Sequence, residues 1–205
     1  MSTIKITLLT AVLLIYSDLV FGQKAELGFS LGFYGAPSER LFENPQTGAS
    51  VNLGLFYRFH EDWTIGSSIN ISNFDYFRLS AIGTPIIGTD LPLDGSVQSD
   101  HISFIVNRRF ELSWGGMVAE GGFGMGALVE KNFFYVPISF DEETGFYRGF
   151  SGERSTTVNL HVPLRMSIFK PFGEKGSIGL EGYMFVDPKG FVRGMYFGPR
   201  IAFGI

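Results

Sequence analysis

The last stretch of the chain, M-Y-F-G-P-R-I-A-F-G-I from Met195, divides into two faces at a period of two. Met195, Phe197, Pro199, Ile201, Phe203 and Ile205 share one parity; Tyr196, Gly198, Arg200, Ala202 and Gly204 share the other. Successive side chains of a strand point to opposite faces, so one face here is greasy and the other small, polar or charged. The division recurs in about eight segments, without the period of a soluble-core helix. A sheet that is greasy outside aggregates in water. In lipid it has the surface a closed barrel needs.

The first segment runs over Lys24–Tyr34, with Leu27, Phe29, Leu31 and Phe33 outward and Glu26, Gly28, Ser30 and Gly32 inward. The second, Ala49–His60, points Val51, Leu53, Leu55, Tyr57 and Phe59 outward, and Asn52, Gly54, Arg58 and His60 inward. Trp63 opens the third after a tight turn at Glu61-Asp62. Further segments are read at Asp100–Phe110, Leu112–Glu130, Thr156–Phe169 and Ser177–Val186, with the Met195 stretch last. Trp114 has the wrong parity for its segment, which predicts a bulge at Gly115-Gly116. Pro163 lacks a ladder donor and requires a bulge or a locally unpaired neighbour. Breakers and acidic residues mark long loops at Ala36–Gly48, Asp75–Ser99 and Lys131–Glu153. The intervening connections are short, as is Asp187-Pro188-Lys189-Gly190. Long loops at one end and tight turns at the other are the asymmetry of an outer-membrane barrel.

Residues 1–22 read as a cleavable export signal. Lys5 supplies the charge, Ile6–Tyr16 the short apolar run, and Val20-Phe21-Gly22 the small-residue ending. The run is too short to span a bilayer, and Asp18 interrupts it. Residues 23–205 then form one barrel domain. The net charge of −4 and the lack of a Lys/Arg stripe leave no footprint for nucleic acid. Absent cysteine excludes disulfides and thiolate metal sites.

A soluble antiparallel sheet also alternates, but turns its apolar face inward and a charged face to water. Here the less apolar face is mostly Gly, Ser, Asn and Ala with single charges, suited to a crowded lumen. An eight-stranded barrel has an interior that side chains just fill. Buried charges need partners, and both signs occur on the inward parity: Glu26, Glu120 and Glu181 against Arg58, Arg165 and Arg200. These six are predicted to form an ion-pair network in the lumen. Phe59, Trp63, Phe110 and Phe203 are expected to face lipid at the turn end, and Phe33, Phe74 and Phe197 at the loop end.

With F-x-x-x-W at the first tight turn (Phe59 to Trp63), the chain resembles the small outer-membrane β-barrels of the OmpA/OmpX type. L-H-V-P-L-R (Leu160 to Arg165) and the terminal G-P-R-I-A-F-G-I are similar to the PorT-like barrels of Bacteroidetes. The expected fold class is all-β: an eight-stranded antiparallel up-and-down transmembrane β-barrel behind a cleavable signal peptide. The resemblance implies an integral outer-membrane location in a Gram-negative cell. It also implies contact with outer-membrane lipid and lipopolysaccharide and insertion by the barrel-assembly machinery, and it allows a role beside a secretion apparatus. Members commonly end in an aromatic residue, whereas this chain ends in Ile205.

The predicted role is non-enzymatic, with external loops for adhesion, envelope stabilisation or partner docking. No nucleotide-loop, zincin or serine-hydrolase signature occurs, so no cofactor, metal or catalytic residue is expected. The glycines of Gly121–Gly126 lack the helix that a phosphate loop requires. His60, His101 and His161 share the inward parity but lie at different heights, too far apart to hold one ion. Two alternatives stay open: a lipid A-modifying enzyme using His101 and Ser103, or a narrow porin-like channel.

Overall fold

The computed structural model describes residues 25–36, 45–77, 94–141, 146–173 and 175–205. The signal segment at 1–22 and most of the Ala36–Gly48 loop lie outside them. Eight antiparallel strands close into a barrel in chain order: β1 (Ala25–Gly35), β2 (Gly48–His60), β3 (Trp63–Phe77), β4 (Asp94–Glu111), β5 (Val118–Asp141), β6 (Phe146–Phe172), β7 (Gly176–Val186) and β8 (Val192–Gly204). β8 pairs with β1 from Glu26↔Gly204 to Gly35↔Met195, so no edge remains within the barrel wall.

The parity of each strand decides its faces. Leu31, Phe33, Ile102, Phe104, Phe123, Met125, Leu160 and Met166 stand exposed on the outside. Ser30, Asn52, Ser68, Asn70, Ser103, Asn107, Arg165 and Arg200 are buried inside. This is the reverse of a soluble sheet. The apolar band ends in polar groups: Lys131 pairs with Asp100 at 3.1 Å just above Val129 and Ile102. At the turn end the Arg108 guanidinium lies 5.7 Å from the Trp63 ring and 5.2 Å from Phe110. Phe59, Trp63, Phe110 and Phe203 face outward there, as do Phe33 and Phe197 at the other end. Phe74 corrects the expectation. It keeps the inward parity of Asn70 and Ser72 and is buried against Tyr34, with ring centroids 5.7 Å apart.

Two expected loops are strand in part, and residues 78–93 and 142–145 within them lie outside the described residues. The Asp75–Ser99 connection shrinks to 78–93, because β3 runs on to Phe77 and β4 starts at Asp94. The Lys131–Glu153 connection becomes a continuation of β5 and β6, leaving only 142–145 between them. Trp114 does not mark a bulge. It lies in the β4–β5 turn, closed by Leu112 N–H donating to the Met117 carbonyl at 2.9 Å. Gly115 and Gly116 take φ of 68° and 65° there, the left-handed region that glycine enters without steric cost. Pro163 has the second of its two expected solutions. The β5–β6 register passes from Phe123↔Leu164 to Gly126↔His161 without shifting, so the pairing lapses around the proline and resumes in the same alignment.

Candidate functional site

The lumen is filled from inward-facing residues of all eight strands. In its turn-side half, Arg165 on β6 is fully buried between two carboxylates. Its Nη1 is 2.9 Å from Glu120 Oε2 on β5, and its Nη2 is 3.3 Å from Glu181 Oε2 on β7. The guanidinium also lies 4.4 Å from the Phe56 ring centroid, a cation–π contact in a desolvated setting. Arg109 on β4 pairs with Glu120 at 3.0 Å. Arg200 on β8 pairs with Glu26 on β1 and stands 3.8 Å from Glu181. Glu181 also accepts hydrogen bonds from Ser30 Oγ and, at 2.7 Å, from Asn52 Nδ2. Tyr196 donates to Ser30 at 2.7 Å behind it. Fixed donors around a buried carboxylate offset its desolvation.

Of the six residues expected in the network, five come together: Glu26, Glu120, Glu181, Arg165 and Arg200. Arg58 does not join them. It is half-buried, and its Nε meets no hydrogen-bond partner among the described residues. Arg109, inward by parity, takes a place in the cluster that had not been assigned to it. Phe56, Phe169 and Tyr183 were also missed. Their inward parity was the available signal, and each ring borders a buried guanidinium.

The outer half of the lumen is built from rings. His101 stacks on Phe185 with centroids 3.7 Å apart and meets His161 edge-on at 5.1 Å. Its Nε2 is 2.9 Å from the Tyr34 hydroxyl. His161 Nε2 is 3.1 Å from Ser103 Oγ. Gly126 makes room for this ring, since a Cβ there would sit 2.6 Å from His161 Nε2. Ser103 therefore pairs with His161, not with the His101 proposed from sequence. The pair faces the lumen, and both residues are buried there. His60 is not inward at all. The register shifts between Arg58 and His60, which leaves His60 exposed beside the β2–β3 turn. Among the described residues no group of three or more His, Asp or Glu is placed to hold a metal ion.

Beyond the apolar band, β5 and β6 rise as a two-stranded hairpin. β4 accompanies β5 only as far as Ser96↔Phe133, and β7 accompanies β6 only from Val162↔Val186. The two strands go on pairing with each other to Asp141↔Phe146. Ser151–Thr157 is exposed on both faces. Strand propensity continues there without a lipid-facing stripe. At its base Phe133 meets Tyr135 edge-on at 5.1 Å, and the Arg154 guanidinium lies 5.8 Å from the Phe133 ring. A cleft of ≈ 530 Å³ beside the base is lined by Asp75, Gln98, Lys131, Arg154 and Thr156, among others. At the same end the β7–β8 turn is tight. Asp187 accepts from the N–H groups of Phe191 and Lys189, each at 2.9 Å, and from Arg193 Nε at 3.2 Å. The Phe191 N–H, then the Lys189 N–H and the Arg193 charge, hold its carboxyl below the usual range.

No family model and no curated protein matches the chain in sequence. Solved structures do resemble it in shape. The Yersinia pestis attachment invasion locus protein Ail, in complex with the heparin analogue sucrose octasulfate, aligns with a TM-score of 0.50 and 11% identity, over 89% of this chain and 97% of that one. The N-terminal β-barrel domain of Pseudomonas aeruginosa OprF aligns at 0.45 and 11%, over 89% and 98%. Neisserial surface protein A aligns at 0.44 and 11%, over 89% and 96%. At 11% identity the likeness to Ail shows the fold alone, and it agrees with the closed ring: the chain is an eight-stranded antiparallel β-barrel with its apolar face outward.

Proposed function

We propose that this chain is an integral outer-membrane protein that performs no catalysis and docks an extracellular partner on its β5–β6 hairpin. The hairpin supports the reading best. It extends past the apolar band while β4 and β7 stop short, leaving strand edges that no described strand covers. Open edges invite pairing with an extended segment, and exposed elements on a rigid frame commonly carry recognition. Residues 1–22 direct export, lipid and lipopolysaccharide bathe the apolar band, and the barrel-assembly machinery inserts the chain. The PorT-like resemblance adds a secretion apparatus to the candidate partners.

Crosslinking and pull-down from intact cells test this. The full chain and a version with Val136–Ser151 replaced by a tight turn are compared, with heat-modifiable gel migration showing that both barrels fold. Loss of the captured partner on trimming is the expected result; equal capture by both refutes docking at the hairpin. The plugged lumen favours a closed barrel over a channel, and planar bilayers should show no steady current. Ser103→Ala should leave the lipid A profile unchanged; an altered profile would instead support the enzyme reading.

A further inference from the structure

At the turn end the lumen opens into a cavity of ≈ 420 Å³. Phe56, Val118, Phe169 and Pro171 give it apolar walls, and Glu26, Arg58, Arg109, Glu120 and Lys175 carry its charge. Both carboxylates are already engaged: Glu26 by Arg200, and Glu120 by Arg165 and Arg109. With Glu181, three carboxylates face three guanidiniums, and that cluster is neutral. Arg58 and Lys175 stand outside it. Arg58 holds its Nε away from solvent without a hydrogen-bond partner among the described residues. A half-buried cation in this position gains most from an anion. A guanidinium offers a planar fork of donors that matches two oxygens of one acid group.

We propose that this cavity binds an organic oxyanion, a phosphate or carboxylate carried on an apolar stem, which enters from the turn end. Arg58 grips the acid group, Lys175 adds charge at the rim, and the rings of Phe56 and Phe169 receive the stem. The volume lies in the ~300–1,000 Å³ range of small-molecule pockets. Arg165 and its partners close the floor, so the ligand returns by the way it came. This site is at the opposite end of the barrel from the hairpin and is independent of docking there.

The test uses the refolded barrel in zwitterionic micelles, titrated with phenyl phosphate and with inorganic phosphate. The NMR resonances of the Arg58 side-chain Nε–H and, in every variant, of the Ser177 backbone N–H at the cavity wall are followed. Phenyl phosphate should move them saturably, and inorganic phosphate should do so at higher concentration. Arg58→Gln should weaken phenyl phosphate binding about tenfold, as for a lost charged hydrogen bond; Lys175→Gln should weaken it less. Lys131→Gln, at the far end, should change nothing. Nanodiscs with and without phosphatidylglycerol separate the sources. A shift caused by the anionic lipid and reversed by phenyl phosphate supports the same site with a headgroup as its ligand. No saturable shift with any probe overturns the proposal, as does equal affinity in Arg58→Gln. If that variant fails to fold by gel shift, the wild-type titration and Lys175→Gln still decide.

Discussion

The two halves of the lumen fill similar space by different chemistry. Towards the turns, Arg165, Arg200 and Arg109 interlock with Glu120, Glu181 and Glu26. Towards the hairpin, His101, His161, Phe185 and Tyr34 meet ring against ring. The ionic half depends on every partner being present, because a lone charge left behind has no water to turn to. The ring half depends on volume and shape, and a similar-sized apolar substitute loses little. Removal of charge at constant size therefore separates the two.

The largest effect should come from Glu181→Gln, which keeps volume but leaves Arg165 and Arg200 short of a counter-charge. We expect a loss of about 3–5 kcal/mol in lipid-supported urea unfolding. A loss under about 1 kcal/mol would mean that water reaches the cluster and the halves do not differ as described. Next comes the outer wall. Phe123→Lys places a charge against hydrocarbon and should cost about 2–4 kcal/mol if the residue lies near the midplane. Stabilisation in the same assay would refute the lipid-facing assignment. Phe185→Leu should cost less than about 1.5 kcal/mol, although Phe185 is as deeply buried as Glu181. A cost equal to that of Glu181→Gln would erase the contrast. Ser103→Ala should remove about 1 kcal/mol with the His161 hydrogen bond, visible as a small fall in unfolding midpoint.

The smallest effect concerns neither half. Asp187 has a folded-state pKa below its ordinary value. Its contribution is therefore complete above the usual Asp pKa of about 3.9 and fades as pH falls through the lower folded value. Asp187→Asn should lower stability slightly at neutral pH, where the carboxylate contributes in full, and change it little at the acid end, so the acid side of the profile flattens. An unaltered acid limb would show that the turn holds without the carboxylate.

Much of this architecture was legible because a period of two survives wherever one face must meet lipid. Every strand core, from Leu27–Phe33 to Met195–Phe203, keeps its parity from sequence to barrel. The signal fades where lipid stops. Above Asp100 and Lys131 the two faces no longer divide, with Phe133 and Phe134 on opposite parities of β5 and Arg154, Ser155 and Thr156 consecutive on β6, so breakers and acidic residues point to loop where the chain is strand. Phe74 was assigned to the girdle for its chemistry although its parity already pointed inward. In the lumen, parity placed the charges on one face but not at one height. Arg58 is inward yet lies two residues from the turn, below the level where Glu181 gathers Arg165 and Arg200. Depth depends on strand stagger, which the register carries and composition does not. The pairing of His101 with His161 was missed for the same reason.

Glu181 has a consequence for how the cylinder shuts. Its oxygens collect Ser30 from the first strand, Asn52 from the second, Arg165 from the sixth and Arg200 from the last. These contacts coincide only when the final strand has slid fully home beside the first. A seam that closes one step out of alignment parts Arg200 from Glu26, and Glu181 from Ser30 and Asn52. The carboxylate thus acts as a proofreading latch: it rewards the correct seam and penalises its neighbours during assembly.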